Sequence, residues 1–465
     1  MTEPRTDLEL ADIQGLVIRG YAHLQAARYV LLAIRDPAAA RRFVADRIPA
    51  ITTGDASGPA QAVHLALTAS SLRRLELPAE AVAEFPVEFL EGMATPARSR
   101  VLGDVEESAP GRWYWGGPNT DAVDLLLLLY AKNGDALEEL ARPIEASYAQ
   151  GGVAEVHRLD TAAVGDREHF GFRDGISQPI IAGLGHTGPA EHIVQPGEFV
   201  LGYPNEYGLL TDRPLLPAGA DPGAALPVDA GTGRPDLGRN GTYLVVRQMQ
   251  QDVPGFWRFV RETAGAGDPT ALASKMVGRW PSGAPLVDAP DADDPHRATA
   301  NGFGYARHDA DGMRCPIGAH VRRANPRDSL DPNPGTPDSL AVNRRHRLLR
   351  RGRKYGPPAD VEGLRAGTAS DDGAERGLHF ICAGANIARQ FEFVQRAWVG
   401  NPKFAALYDD ADPLIGRHRP EGGTFTIPDR PVRRRATGLP AFVTVRGGGY
   451  FFLPGIRALR YLSSR

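Results

Sequence analysis

Cysteine is nearly absent from this sequence of 465 residues, which contains only Cys315 and Cys382. Two cysteines form at most one disulfide, and no C-x-x-C pair is present to bind zinc, an iron–sulfur cluster or a covalently attached cofactor. This cysteine usage excludes a small secreted scaffold held together by disulfides, and it favours a reducing compartment.

Targeting and membrane-spanning segments are also missing from the sequence. The first ten residues lack a basic stretch followed by an apolar one, so no export signal is predicted. The apolar run over 125–130 is far too short to span a bilayer. We therefore expect a soluble cytoplasmic protein with no membrane partner.

A strong charge of either sign is lacking, because 53 basic residues nearly balance 56 acidic ones. The formal net charge of −3 gives no reason to expect a nucleic-acid or membrane partner. The local exception is the basic tract at 344–354, which holds six arginines and Lys354. Few aromatic residues are interleaved with these charges. We predict a solvated basic face here, with a nucleic-acid-binding module as the minor alternative.

Three common catalytic motifs do not occur in the chain. They are the P-loop G-x-x-x-x-G-K-[ST], the zinc-protease motif H-E-x-x-H and the hydrolase elbow G-x-S-x-G. A P-loop nucleotidase, a zinc protease and an ordinary α/β-hydrolase therefore have no support from the sequence.

Glycine and proline, in contrast, are abundant, with 53 and 39 residues respectively. Many of them lie in three loop-rich stretches, at 181–240, 281–301 and 326–338. Strand-like patterns between the loops cover 13–19, 29–34, 121–130, 241–247, 378–382, 442–445 and 450–453, and helical patterns cover 135–149 and 252–263. The glycines at 447–449 are predicted to form a bend before the last strand.

Short strands mixed with helices and long loops predict an α+β fold with antiparallel sheets. The order of strand, polar turn and amphipathic helix at the start of the chain is repeated after residue 240. This repeated order indicates two halves of similar architecture.

Two segments carry candidate site residues. Asp174 lies in Gly171-Phe-Arg-Asp-Gly175, where glycines let the backbone bend closely around a ligand and a carboxylate can transfer protons. The alternative is an aspartate that only accepts hydrogen bonds within a turn. His320 follows two small residues and precedes several arginines, which would let it approach a flat, anionic cofactor as a metal ligand. Here the alternative is a hydrogen-bonded structural histidine.

Taken together, the motifs resemble those of the dye-decolorizing peroxidases, haem enzymes with two ferredoxin-like domains, and in particular the longer, insertion-rich branch of that family. The resemblance spans almost the whole chain and follows the order of the family's motifs. It rests on Ile13-Gln-Gly15, Gly171-Phe-Arg-Asp-Gly175, Asn240-Gly-Thr-Tyr-Leu244, Ala319-His320 with Asn325-Pro-Arg327, Leu349-Arg350 with Tyr355-Gly356, and Phe451-Phe-Leu-Pro-Gly455.

This resemblance implies a domain at 1–215 that carries the G-x-x-D-G loop and a haem-binding domain at 216–465, with the haem facing the first domain. It implies that His320 ligates the iron of a non-covalent haem b, while Asp174 and Arg350 face the iron from the opposite, distal side. The residues implied to contact or support the haem are Gly175, Ile176, Ser177, His320, Asn325, Pro326, Arg327, Arg350, Leu378, Phe380 and Glu392. Glu392 is the predicted carboxylate that accepts the hydrogen bond from His320.

The implied function is a peroxidase that reduces hydrogen peroxide and oxidises dyes, phenols or other small one-electron donors. Asp174 would move a proton between the two peroxide oxygens, and Arg350 would stabilise the developing negative charge. An aspartate titrates near ~3.9, well below a histidine near ~6.5, so an acidic operating pH is expected. The alternative is a non-catalytic haem-handling protein, which would not need both distal residues. The natural donor, any manganese or lignin activity, the oligomeric state and the electron route stay open.

Overall fold

The apolar run over 125–130 is the centre of a strand that is buried on both faces. The computed structural model describes residues 8–163, 165–185, 188–418 and 421–465. Odd-numbered residues of the run belong to one hydrophobic cluster and even-numbered residues to another. Because successive side chains of a strand point to opposite faces, an uninterrupted apolar run is what a doubly covered strand requires.

The strands lie in both halves of the chain. They are β1 Ala26–Ile34, β2 Gln61–Leu67, β3 Leu125–Ala131, β4 Val153–Asp160, β5 Ile180–Ile181, β6 Ile193–Val194, β7 Thr242–Gln251, β8 Leu349–Arg350, β9 Arg353–Tyr355, β10 Gly377–Gly384, β11 Gly423–Ile427, β12 Arg434–Leu439 and β13 Val443–Leu453.

The α-helices are mostly short, and two π-helical segments precede the last strands. The α-helices are α1 Pro37–Arg47, α2 Ala69–Arg74, α3 Ala79–Ala83, α4 Val87–Glu91, α5 Pro96–Leu102, α6 Gly134–Ala146, α7 Val253–Ala264, α8 Pro269–Val277, α9 Tyr305–His308, α10 His320–Ala324, α11 Pro337–Arg344, α12 Val361–Ala366 and α13 Ile456–Ser463. The π-helical segments are Ala388–Glu392 and Val394–Val399.

One antiparallel sheet runs through the molecule in the order β4-β1-β3-β2-β13-β7-β10-β8, with β9 also paired to β10. If β8 and β9 count as one strand, each half has the spatial order fourth, first, third, second, which is ferredoxin-like. The halves meet where Phe452 pairs with Leu67. The predicted α+β fold of two ferredoxin-like domains is confirmed. The boundary between 1–215 and 216–465 stays a prediction.

Two segments have a conformation that differs from the prediction. Residues 13–19 form buried turns instead of a strand, and Gln14 uses its side chain to bond Leu65 and Pro454. The prediction of a bend at 447–449 is also wrong. β13 continues through these glycines with a bulge after Val445, because β7 pairs with it along its whole length.

The predicted helices at 135–149 and 252–263 are confirmed as α6 and α7, with small differences at their ends. None of the described helices is long and apolar enough to cross a membrane.

Candidate active site

The loop that carries Asp174 is built around a partly buried carboxylate. Glu168 accepts hydrogen bonds from the backbone N–H groups of Phe170 and Phe172 at 2.9 and 3.0 Å, and from the Gln251 amide at 2.8 Å. Gly171 has a φ of +98°, a conformation that disfavours any residue with a Cβ. Sequence reasoning missed Glu168, although it lies three residues before the glycine of the motif.

Asp174 lies at the tip of this loop and faces Arg350. The Asp174 carboxylate is 3.2 Å from the Arg350 guanidinium, with side-chain exposures of 53% and 33%. The positive charge of Arg350 is the main cause that lowers the pKa of Asp174 below its ordinary value, and the Gly175 N–H at 2.6 Å assists it. Asp174 is therefore ionised at neutral pH.

Arg350 is held in place through its backbone. It lies on β8, and the Gln178 side chain bonds both its N–H, at 3.1 Å, and its carbonyl, at 3.3 Å. Because Gln178 is four residues after Asp174, the same loop sets the position of both charged groups. Gln178 follows the Gly171–Gly175 motif by three residues, but nothing in the sequence indicates its partner.

His320 begins helix α10 and is bonded to Asp412. Its Nδ1 donates to Asp412 Oδ2 at 2.9 Å, and the Asp412 side chain is fully buried. Burial lowers the pKa of His320, but the charge and hydrogen bond of Asp412 outweigh it and raise the pKa above its ordinary value. An ionised carboxylate only accepts, so Nδ1 carries hydrogen and Nε2 is left as the lone-pair nitrogen of the neutral ring.

Asp412 is itself fixed by backbone donors. Its Oδ1 accepts from the N–H groups of Leu414 and Ile415 at 2.9 and 3.0 Å. Burial raises the pKa of Asp412, yet His320, Arg323 and these donors lower it below its ordinary value. The carboxylate is thus kept ionised against the ring.

The prediction that Glu392 accepts the hydrogen bond from His320 is wrong. Glu392 binds Arg98 at 2.9 Å and Tyr450 at 2.8 Å instead. Asp412 accepts the hydrogen bond from His320, and no local sequence pattern links the two residues because they are 92 residues apart.

A hydrogen-bonded chain links the loop of Asp174 to the segment after His320. Asn325 donates to Ser177 Oγ at 3.0 Å and accepts from Asn343 at 2.9 Å. Arg347 donates to the Ser177 carbonyl at 3.2 Å. The structure therefore brings Ser177 and Asn325 together, as expected for residues that line one ligand.

The predicted distal wall lies on the same face of the sheet as Arg350. Arg350 is directly opposite Cys382 on β10, and Leu378 and Phe380 alternate with Cys382 along that strand. Pro326 is buried, while Ile176 is partly buried and lies near Gly283. Gly175 is exposed at a φ of +81°.

None of the basic residues at 344–354 is fully exposed, since Arg347 and Arg353 are buried and the others are partly buried, so the prediction of a solvated basic face is wrong. Arg351 and Arg353 donate to backbone carbonyls in the segment 16–24 at 2.6 to 2.8 Å. Their guanidinium groups tie the second half of the chain to the turns of the first.

Two further buried arginines have no carboxylate partner among the described residues. Arg327 donates to the carbonyls of Asn301 and Phe303 at 2.7 and 3.0 Å. Burial, together with the positive charges of Arg327 and Arg350, lowers the pKa of Arg347 to about 9. Since uncompensated buried charges are costly, these arginines fit an anionic ligand.

Comparison with known proteins identifies the class to which this fold and site belong. No family model matches the chain. A curated relative, "Dye-decolorizing peroxidase msp1" of Mycetinis scorodonius, is 32% identical over 498 residues, which cover 98% of this chain and 88% of the relative. "Multifunctional dye peroxidase DyP2" of an Amycolatopsis species is 31% identical, with coverages of 75% and 73%. A crystal structure of a fungal DyP-type peroxidase from Auricularia auricula-judae has a TM-score of 0.79 and 27% identity, and it covers 98% of this chain and all of its own.

The chain is a peroxidase, and it belongs to the dye-decolorizing peroxidase family. That family implies a haem cofactor, hydrogen peroxide and an electron donor. The described residues fit a haem, because a histidine with a free Nε2 and buried arginines without carboxylate partners are what an iron and anionic propionates require.

Proposed function

We propose that this chain is a haem b peroxidase in which His320 binds the iron and Asp174 and Arg350 act on hydrogen peroxide. The observation that carries the proposal is the pair of Asp174 and Arg350, 3.2 Å apart and partly exposed. Arg350 lowers and Asp174 raises the pKa of His320, which supports the assignment of all three residues to one site. Dyes, phenols and other small one-electron donors are the proposed reducing substrates.

On the distal side, Asp174 is the proton carrier. Its pKa lies below the ordinary aspartate value because of Arg350, so it is ionised well into the acid range and can take a proton from one peroxide oxygen and return it to the other. The Arg350 guanidinium stabilises the negative charge on the departing oxygen. The 53% exposure of Asp174 leaves room for peroxide beside the carboxylate.

On the proximal side, His320 is proposed to hold the haem in place. A haem bound through His320 would supply the iron that passes electrons from the donor to peroxide. Asp412 holds Nδ1–H, keeps Nε2 unprotonated and increases the electron density of the ring. Arg327 and Arg347 would pair with the haem carboxylates, and Gly175, Ile176, Ser177, Asn325, Pro326, Leu378 and Phe380 would line the cofactor.

A haem-handling protein without turnover is the alternative. Such a protein needs His320 and the arginines, but it has no use for a proton carrier beside a guanidinium. A nucleic-acid function for the basic tract is disfavoured, because its arginines are largely bonded to backbone carbonyls. The cytoplasmic location stays part of this proposal and rests on the two cysteines, which are buried and unpaired.

Reconstitution tests the proposal directly. The purified protein is titrated with haem, the Soret band is recorded, and hydrogen peroxide is then added with a phenolic donor. We expect a Soret band that changes on mixing and a coloured product. A Soret band without turnover would favour the haem-handling alternative, and its absence would refute both.

A further inference from the structure

Glu392 and Tyr450 form a buried carboxylate–phenol pair that the proposed mechanism does not use. The Tyr450 hydroxyl donates to Glu392 Oε1 at 2.8 Å, and Arg98 donates to Oε2 at 2.9 Å. Tyr450 is 3% and Glu392 5% exposed. The phenol therefore has a proton acceptor in place and is almost completely shielded from solvent.

Tyr450 lies in the same row of the sheet as Arg350. Tyr450 on β13 is directly opposite Val245 on β7, Val245 is opposite Cys382 on β10, and Cys382 is opposite Arg350 on β8. Residues directly opposite one another point to the same face of a sheet. Neighbouring strands are about 4.8 Å apart, so the backbones of Tyr450 and Arg350 are about 14 Å apart across the sheet.

Aromatic rings fill the space beside this row. The ring of Phe391 is 6.5 Å from that of Tyr450 and 6.0 Å from that of Phe380. Phe380 is two residues before Cys382, on the face that carries Arg350. Tyr450 is therefore two ring contacts away from the predicted distal wall.

Removing an electron from a phenol makes its hydroxyl a very strong acid, so the electron leaves readily only where the proton can leave with it. Burial raises the pKa of Glu392 above its ordinary value, which makes it a better base. Tyr243 is buried in the same hydrophobic cluster, but its hydroxyl has no hydrogen-bond partner among the described residues. Tyr243 thus provides a matched phenol without an acceptor.

We propose that Tyr450, with Glu392 as its proton acceptor, is an internal electron donor to the peroxide-oxidised enzyme. Tyr450 gives one electron to the oxidised site and its phenolic proton to Glu392, leaving a neutral tyrosyl radical and a protonated carboxyl. An electron from an external donor and the returning proton restore both groups. This inference rests on the proposed peroxidase function, which supplies the oxidant.

Trapping the radical tests the inference. Haem-loaded protein is mixed with one equivalent of hydrogen peroxide without a donor, and the sample is divided between freeze-quench electron paramagnetic resonance and a nitroso spin trap. Trypsin releases Tyr450 as the only tyrosine of peptide 447–457 and Tyr243 as the only tyrosine of peptide 240–247. We expect the trap on the first peptide and none on the second.

Variants then separate the roles of the two residues. Tyr450→Phe should lose most of the tyrosyl signal, and Tyr243→Phe should keep it. Glu392→Gln retains a hydrogen-bond acceptor but no base, so its signal should fall several-fold while Tyr450 remains. An unchanged signal in Tyr450→Phe would overturn the inference.

The wild-type protein alone distinguishes the two proposals. If the Soret band changes with peroxide and no trap is found on peptide 447–457, the internal donor is refuted and the peroxidase stands. If the Soret band does not respond to peroxide, the proposed function is refuted. The internal donor is then refuted as well, because nothing oxidises Tyr450.

Discussion

The proposed proximal and distal sides of the site each pair a carboxylate with a nitrogen-containing side chain, but the two pairs are constructed differently. Asp412 is fully buried and accepts three hydrogen bonds, from His320 and from two backbone N–H groups. Asp174 is 53% exposed and shares one 3.2 Å contact with Arg350. A buried, fully bonded carboxylate fixes a ring in one orientation, whereas an exposed carboxylate can exchange protons with a substrate.

The two sides are therefore expected to fail in different ways when they are altered. Damage to the proximal side should show first in haem binding, while damage to the distal side should show in the reaction with peroxide. Single substitutions test each side separately.

Loss of the proximal ring should have the largest effect. His320→Ala removes the nitrogen proposed to bind iron, so the Soret band on haem titration should be absent or greatly weakened. His308→Ala is the control, because the His308 imidazole is exposed and bonds the Gly304 backbone. Haem occupancy equal to that of the wild type in His320→Ala would show that another residue is the ligand.

Loss of a distal charge should leave haem in place and slow the reaction with peroxide. Arg350→Leu and Asp174→Asn should each lower the second-order rate constant by about 10²–10³-fold, the usual cost of removing a group that stabilises transition-state charge or moves a proton. Stopped-flow recording of the Soret band gives this constant. Arg344→Leu is the matched control, since Arg344 donates to the Ala190 carbonyl outside the pair. A wild-type rate in Arg350→Leu would remove its proposed role.

The carboxylate behind His320 should matter less than the ring itself. Asp412→Asn keeps the shape of the side chain but lowers the basicity of the acceptor. Groups that hydrogen-bond a metal-binding histidine typically contribute about 10–100-fold to metal affinity or activity. Haem affinity of Asp412→Asn is compared with that of Glu392→Gln, which alters the carboxylate that sequence reasoning had selected. We expect a loss in the first variant alone. A loss confined to Glu392→Gln would reverse the assignment made from the structure.

Sequence patterns predicted the fold class well because strand and helix periodicity is local. The strand at 125–130 follows from its uninterrupted apolar run, because successive side chains point to opposite covered faces. The helix at 134–146 follows from the capping residue that precedes it. Residues 13–19 have the same apolar character as a strand, but Gln14 bonds strands distant in sequence, and that tertiary contact decides the conformation. The glycines at 447–449 continue a strand for the same kind of reason.

Within the candidate site, residues with a distinctive local pattern could be predicted from the sequence, whereas their hydrogen-bond partners could not. Asp174 and His320 stand among glycines and small residues that mark them. Asp412, Glu168 and Gln178 are ordinary carboxylates and amides whose importance comes only from the groups that the fold brings to them. The basic tract differs from its prediction because clustered charge is typical of a surface, whereas Arg351 and Arg353 are bonded to backbone carbonyls of the segment 16–24.

The smallest expected effect is a change in pH dependence, and it tests the electrostatic basis of the distal pair. Arg350 lowers the pKa of Asp174 below its ordinary value of 3.8. If ionised Asp174 carries the proton, the wild-type rate constant with peroxide should be level at mildly acidic pH and should fall only as the pH drops through this lowered pKa. In Arg350→Leu the lowering charge is gone, so the pKa of Asp174 rises and the fall should begin at a higher pH. In Asp174→Asn the fall should be missing, because no group remains to be protonated. Rate constants measured across the acid range for all three proteins make the check, since an acid limb at the same pH in wild type and Asp174→Asn would assign the titration to another group.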